Sequence, residues 1–170
     1  MKGRPGEGEA AEYYLRYIGR VAGDDVLGVL DEQAARVPAF LRGIAEDTSL
    51  HRYAEGKWTL REVLAHVNDC ERVFTGRAWW FARGQQGALS SFDPDSCAAN
   101  GRANDLAWAR HVEEFEAVRA STLAFFRGLP AEAWTRTGTA SGNPFSVRAL
   151  AFITAGHLEH HLALVREKYL

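Results

Sequence analysis

Apolar residues recur every three or four positions in four separate stretches of this chain, and no stretch of length alternates with the two-residue period of a strand. The first runs from about Asp24 to Ile44, with Val26, Val29, Leu30, Gln33, Val37, Phe40, Leu41 and Ile44 along one side. Pro38 falls inside it and is expected to kink or shorten the helix, because proline has no amide proton to give to the turn before it. The second opens at Thr59, where Glu62 three residues on completes a capping-box pattern. Its apolar side is Leu60, Val63, Leu64, Val67, Phe74 and Phe81, ending before Gly84. Residues 84 to about 103, rich in Gly, Ser and Asp, read as a loop. A third helix is expected from near Asn104, with Trp108, Val112, Phe115, Val118, Phe125 and Phe126, stopping at Gly128-Leu129-Pro130. Thr135 to Phe145 is turn-prone and suited to a short hairpin. Ser146 then reads as the cap of a fourth helix that continues almost to Leu170.

Four amphipathic helices joined by two long connections predict an all-α four-helix bundle as one domain over residues 24–170. Gly3, Pro5, Gly6 and Gly8 make residues 1–23 read as a leader, partly flexible. Lys2 and Arg4 are not followed by an apolar core, so this end does not read as a secretory signal. The 170 residues fit one domain with a sizeable core, and 46% hydrophobic with 25% charged residues excludes disordered and collagen-like classes. A formal net charge of -2 offers no global field for nucleic acid or an anionic membrane, so neither is an expected partner. No apolar run approaches the roughly 20 residues that span a bilayer. Cys70 and Cys97 have no metal-type spacing, and a cytoplasmic location is expected, in which both thiols stay reduced.

Six histidines stand at 51, 66, 111, 157, 160 and 161. At about 100° per residue, His157 and His161 lie only about 40° apart on the fourth helix. Leu150, Thr154 and Leu164 share their arc, so the pair falls within the stripe expected to be buried. Imidazoles at i and i+4 can converge on one cation, and a buried ring nitrogen needs a partner. The plainer alternatives are hydrogen-bonded core histidines, or a helix turned so that the pair faces water. Leu158 follows His157 and Glu159 points away from the pair, so the metalloprotease pattern with its general base is absent. His66, between Val63 and Cys70 on the second helix, borders the apolar face and could reach across. Three protein ligands leave a coordination position for water or substrate, as catalytic sites do. His160 lies about 60° from His157, on the flank. His111 shares the side of Trp108 and Phe115 and reads as a core histidine. His51 sits in a polar loop without a role.

The segment Tyr53-Ala-Glu-Gly-Lys-Trp-Thr-Leu-Arg-Glu-Val-Leu-Ala-His66-Val-Asn-Asp69-Cys-Glu71-Arg72-Val-Phe74 resembles the opening of the second helix in the DinB-like (YfiT/DinB) superfamily. Phe92-Asp93 and the closing Gly156-His157-Leu-Glu-His160-His161-Leu resemble that family's loop and C-terminal motif. The likeness runs from about residue 25 to the C-terminus. It implies an up-down-down-up bundle, usually a homodimer, with one divalent metal, zinc or nickel, on the positions of His66, His157 and His161. It also implies that some relatives activate a low-molecular-weight thiol such as bacillithiol or mycothiol for transfer or isomerisation. A cation lowers a thiol's pKa by stabilising the thiolate. In the matching region, Asp69 and His160 are candidates to orient a ligand histidine, as are Glu71-Arg72. Trp58 reads as a packing anchor, and Arg77, Trp79 and Trp80 as a pocket mouth or dimer surface.

Two functions follow. One is a metal-dependent enzyme, a thiol S-transferase or a related hydrolase-like activity on a small-molecule substrate, with no separate catalytic residue identifiable. The other is a non-catalytic metal-binding protein, acting in stress response or as a small-molecule binder. A ferritin-like di-iron centre needs inward glutamates in paired Glu-x-x-His motifs, and the ligands here are histidines.

Overall fold

A computed structural model describes residues 3–170; Met1 and Lys2, the first two residues of the expected leader, lie outside the described residues. The helices are α1 (Glu12–Ile18), α2 (Val26–Arg42), α3 (Glu46–Ser49), α4 (Leu60–Ala82), α5 (Pro94–Gly101), α6 (Trp108–Arg127) and α7 (Val147–Lys168). Strands β1 (Thr137–Ala140) and β2 (Asn143–Ser146) form an antiparallel hairpin before α7. The four long helices are the predicted ones, with caps where the sequence puts them. Thr59 Oγ1 accepts from the Glu62 amide at 3.1 Å while Glu62 Oε2 accepts from the Thr59 amide at 2.7 Å. Ser146 Oγ accepts from the Ala149 amide at 3.0 Å.

Cross-links give the helix directions. Asp31 pairs with Arg127 and Arg42 with Glu116, so α2 and α6 run in opposite senses. Arg36 pairs with Glu159 and Arg166 lies over Phe40, so α2 and α7 run in the same sense. Asn68 meets Glu114 and Thr75 meets Thr122 along α4 and α6, again in the same sense. One half of the core packs Leu30, Phe74, Phe81, Phe126, Phe145 and Phe152; the other packs Val37, Leu41, Leu64, Val67, Phe115 and Leu162. A polar chain crosses between them. Arg119 donates to both Glu71 oxygens at 2.8 Å and to Gln33 Oε1 at 2.7 Å, and Gln33 donates to the Ala155 carbonyl at 3.0 Å. Gln33 thus belongs to the inward stripe of α2 because it bonds there, not because the site is apolar.

Three expectations need correction. Pro38 does not end helix α2, which continues to Arg42; the proline forfeits the one bond that its own amide would have given to the Ala34 carbonyl, four residues upstream. The loop after α4 holds α5, started by Asp93, whose Oδ1 accepts from the Asp95 amide at 3.1 Å, with Pro94 at the first helical position. Asn104 lies in a single 3₁₀ turn, and α6 begins only at Trp108.

The described part of the leader packs onto the bundle. Arg4 donates to the carbonyls of Ile18, Val21 and Gly23, and Glu9 accepts from Ser146 and pairs with Arg148. Tyr17, Ile18 and Val21 are buried against the bundle. Helix α1 lies so close to α7 that a Cβ on Gly156 would stand 1.9 Å from the Tyr17 carbonyl oxygen. Gly156→Ala is therefore expected to lever α1 off α7 and cost about 1–3 kcal/mol. Chemical denaturation and proteolysis between residues 3 and 23 check this; unchanged stability and protection would refute the close packing.

The Arg148 guanidinium bonded to Glu9 pulls its carboxyl down to about 2, against the opposing effect of burial. A carboxylate with a depressed folded pKa adds stability above its unfolded pKa and loses it as pH falls toward the folded value. Glu9→Gln is thus expected to cost on the order of 1–2 kcal/mol at pH 7, after allowing for solvent screening. The difference from wild type should shrink as pH falls below about 4.5, and a gap that is constant from pH 7 to 3 would refute the assignment.

Candidate metal centre

Helices α4 and α7 bring the three histidines together. His66 faces α7 from α4, and His157 and His161 stand one turn apart on α7, which packs along α4 in the opposite sense. Nε2 of His157 is 3.3 Å from Nε2 of His66 and 3.1 Å from Nε2 of His161. One nitrogen from each ring lies within 4.8 Å of the other two, and this is the one His/Cys/Asp/Glu group of metal-holding shape among the described residues. A tetrahedral ion with nitrogen ligands at roughly 2.0–2.1 Å would hold them about 3.3 Å apart, so the donor set fits one.

The rings are kept uncharged. Burial drives His66 down to about 4 and His161 to about 3, and pushes His157 well below the ordinary histidine value. Neutral imidazoles offer lone pairs to a cation, and metal binding requires that form. Apart from Cys70 Sγ beside His66, the ring nitrogens face one another, and Nδ1 of His161 is buried without a hydrogen-bond partner among the described residues.

Two cavities large enough for a small molecule reach the cluster. One of about 180 Å³ is lined by His66, Cys70 and Phe74 of α4, the tyrosines of α1, Ser91, Phe92 and Pro94 of the loop, Ser141 of the hairpin and His157. The other, about 280 Å³, opens beside His161 and is lined by Tyr53, Trp58, Asp95 and Tyr169. A larger groove of about 490 Å³ between α4 and α6, beside exposed Trp79, lies away from the histidines.

The other sequence candidates fall in varied places. Asp69 pairs with Arg72 at 3.5 Å, and Arg72 also holds Glu114. Glu71 is taken by Arg119 in the core, so neither Glu71 nor Arg72 orients a site histidine. The His160 ring stands 5.0 Å from that of His161 and 5.5 Å from Tyr17. His111 is buried away from the cluster and bonds the Ala103 carbonyl at 2.8 Å. His51 is exposed and touches Tyr169. Trp58 packs its ring 4.9 Å from that of His66.

Sequence reading missed Cys70 and Tyr17. Cys70 follows His66 by one turn, with Sγ 3.6 Å from the His66 Nε2, and burial, then Asp69, pushes its thiol up to about 12. The i,i+4 spacing from His66 was the available signal. Tyr17 packs its ring edge 5.2 Å from His157, and burial raises its hydroxyl to about 12. Only the contact of α1 with α7 reveals it.

Residues 29–165 match the family model of the DinB superfamily. The chain belongs to the DinB superfamily. Among solved structures, this DinB-superfamily chain is similar to YfiT from Bacillus subtilis, described as a probable metal-dependent hydrolase with an unusual four-helix bundle topology. The TM-score is 0.74 at 16% identity, covering 98% of this chain and 91% of that one. It is also similar to a mycothiol-dependent maleylpyruvate isomerase, with TM-score 0.66 and 16% identity over 85% of this chain and 61% of that one. At these identities the likeness establishes a shared fold. No curated protein matches the sequence.

Proposed function

We propose that this DinB-superfamily protein is a divalent-metal-dependent enzyme that holds zinc or nickel on His66, His157 and His161. The observation that carries the reading is the convergence of three neutral imidazole nitrogens, two of the pairs 3.1 and 3.3 Å apart, at the edge of a cavity. An ion held there would supply Lewis acidity, which lowers the pKa of a thiol or a water molecule. The chain's own residues supply the rest. Burial keeps the imidazoles neutral, α1 covers one side of His157 with Tyr17, and Phe74 and Trp58 exclude water beside the rings. The reaction we assign is transfer or isomerisation with a low-molecular-weight thiol of the bacillithiol or mycothiol type, or a related hydrolysis. The 180 Å³ cavity suits the reacting end of a small molecule rather than a macromolecule. We place the protein in the cytoplasm as a homodimer, in keeping with its resemblance to the family. No helix of the described residues is long and apolar enough to cross a membrane.

Elemental mass spectrometry on untagged protein tests the reading. About one zinc or nickel per chain is expected in wild type and none in the His157→Ala/His161→Ala variant. A folded wild type that carries no metal and takes up neither added ion would overturn it. Thiol consumption with electrophiles, present in the loaded wild type and absent from the variant, would separate the enzyme from a purely metal-binding protein.

A further inference from the structure

Helix α4 carries a second buried group on the face that bears His66. His66, Cys70, Phe74 and Arg77 follow one another at intervals of four, four and three residues, so they share one side of the helix. His66, Cys70 and Phe74 line the 180 Å³ cavity, and Arg77, one turn beyond Phe74, stands behind two of its wall residues, Ser141 and Phe92. Arg77 is only 4% exposed. Its Nη2 donates to the Ser141 hydroxyl at 2.7 Å and to the Ser90 carbonyl at 3.2 Å, and its guanidinium lies 5.9 Å from the Phe92 ring centre. Ser141 and Phe92 are cavity walls.

Nη1 of Arg77 is buried with no hydrogen-bond partner among the described residues. The other buried arginines are paired, Arg61 with Glu46 and Arg119 with Glu71, whereas no carboxylate among the described residues lies within ion-pair distance of Arg77. A buried cation that meets only neutral oxygens has paid desolvation without a counter-charge, and a protein keeps such a group where an anion arrives from outside. Ser141 adds to this. It sits at φ 51° in the two-residue turn of the hairpin, where Asn or Gly would be more relaxed, and its hydroxyl accepts from Arg77. The fork of a guanidinium suits a planar carboxylate.

We infer that Arg77, with Ser141, forms an anion subsite that receives the carboxylate of a small substrate at the end of the cavity opposite the histidines. The inference deepens the proposed function by naming the substrate class: a small carboxylate whose reacting part extends toward His66 and His157. It rests on that reading for the reaction but not for binding, because Arg77 needs no metal to hold an anion.

Titration calorimetry with benzoate against its neutral isostere benzamide tests it, on the full chain both zinc-loaded and metal-stripped. Benzoate is expected to bind about 10- to 100-fold more tightly than benzamide, the range of a charge-assisted hydrogen-bond pair, in both forms. Arg77→Met should erase that preference while circular dichroism and thermal melting show a folded protein, and Ser141→Ala should reduce it in part. Should Arg77→Met fail to fold, Arg77→Lys serves instead: it keeps the charge but not the fork, and is expected to keep only part of the preference. Benzoate binding that survives Arg77→Met, or that disappears with zinc and in His157→Ala/His161→Ala, would mean that the ion rather than Arg77 holds the carboxylate, and would overturn the inference. Tight binding of inorganic phosphate with none of benzoate would also overturn the carboxylate assignment. Preference for benzoate in a wild type that takes up no metal would uphold the subsite and sink the metalloenzyme reading alone.

Discussion

Glu71→Ala is expected to destabilise the fold by about 3–5 kcal/mol, among the largest effects of any single substitution outside the histidines. Glu71 and Arg119 have side chains only 3% and 1% exposed, and both guanidinium bonds to the carboxylate are 2.8 Å long. Removing the carboxylate strands a cation whose remaining partners are Gln33 Oε1 and a long contact of 3.5 Å to the Leu30 carbonyl. Desolvation of the guanidinium has already been incurred by folding, so the loss exceeds the worth of two hydrogen bonds. The pair in total contributes far less than that figure. Glu71→Leu with Arg119→Met should recover most of the loss, because two apolar chains of similar size restore the packing and leave no charge; Gln33 then lacks one donor, so recovery stays short of complete. At roughly 2–4 °C per kcal/mol for a chain of this size, the single variant should melt about 6–20 °C lower. Urea unfolding of the wild type, the two single variants and the double variant measures the cycle. A loss below about 1 kcal/mol for Glu71→Ala would show that water reaches the pair.

The same polar chain marks where sequence reading stops. The long helices were legible because periodicity and caps are local: Thr59 with Glu62, and Ser146 with the Ala149 amide, work within three residues. The convergence of His157 and His161 was legible for the same reason, since their angular separation is set by the helix itself. His66 needed the packing of α4 on α7 to join them, and periodicity gave only the side on which it lies. What stayed hidden depends on distant partners. Glu71 reads as a surface acid of a helix until Arg119, 48 residues away, is placed beside it. Arg77 reads as a pocket mouth or dimer surface until its burial against Ser90 and Ser141 is seen. Helix α1 is seven residues long with no side-chain cap, too short to form on its own propensity, and it exists because α7 offers Gly156 as a floor. Asp93-Pro94 was a readable start signal for α5, outweighed by the Gly, Ser and Asp around it.

Zinc is expected to stabilise the wild type strongly and the His66→Ala variant hardly at all. At a free zinc concentration 100 times the dissociation constant, binding only to the folded state adds about 2.7 kcal/mol, or roughly 5–11 °C in melting temperature. His157 and His161 alone form an i,i+4 pair that holds an ion weakly, because two nitrogens from one helix leave most of the coordination shell to water. The third nitrogen comes from a different helix, so it clamps α4 to α7 only when the ion is present. Loss of a direct ligand should exceed the 10- to 100-fold typical of groups that merely orient one, so His66→Ala is expected to weaken zinc at least about 100-fold. In the absence of metal the difference disappears. The wild type then confines three uncharged rings with nitrogens 3.1 and 3.3 Å apart and few other partners, whereas His66→Ala removes one of them at the edge of a cavity. The metal-free variant should therefore melt close to the metal-free wild type, within about 1 kcal/mol. Thermal melts of both proteins with chelator and with graded zinc distinguish the cases. Equal zinc-dependent shifts would remove His66 from the site, and a large metal-free loss in the variant would make the ring a packing element of the core instead.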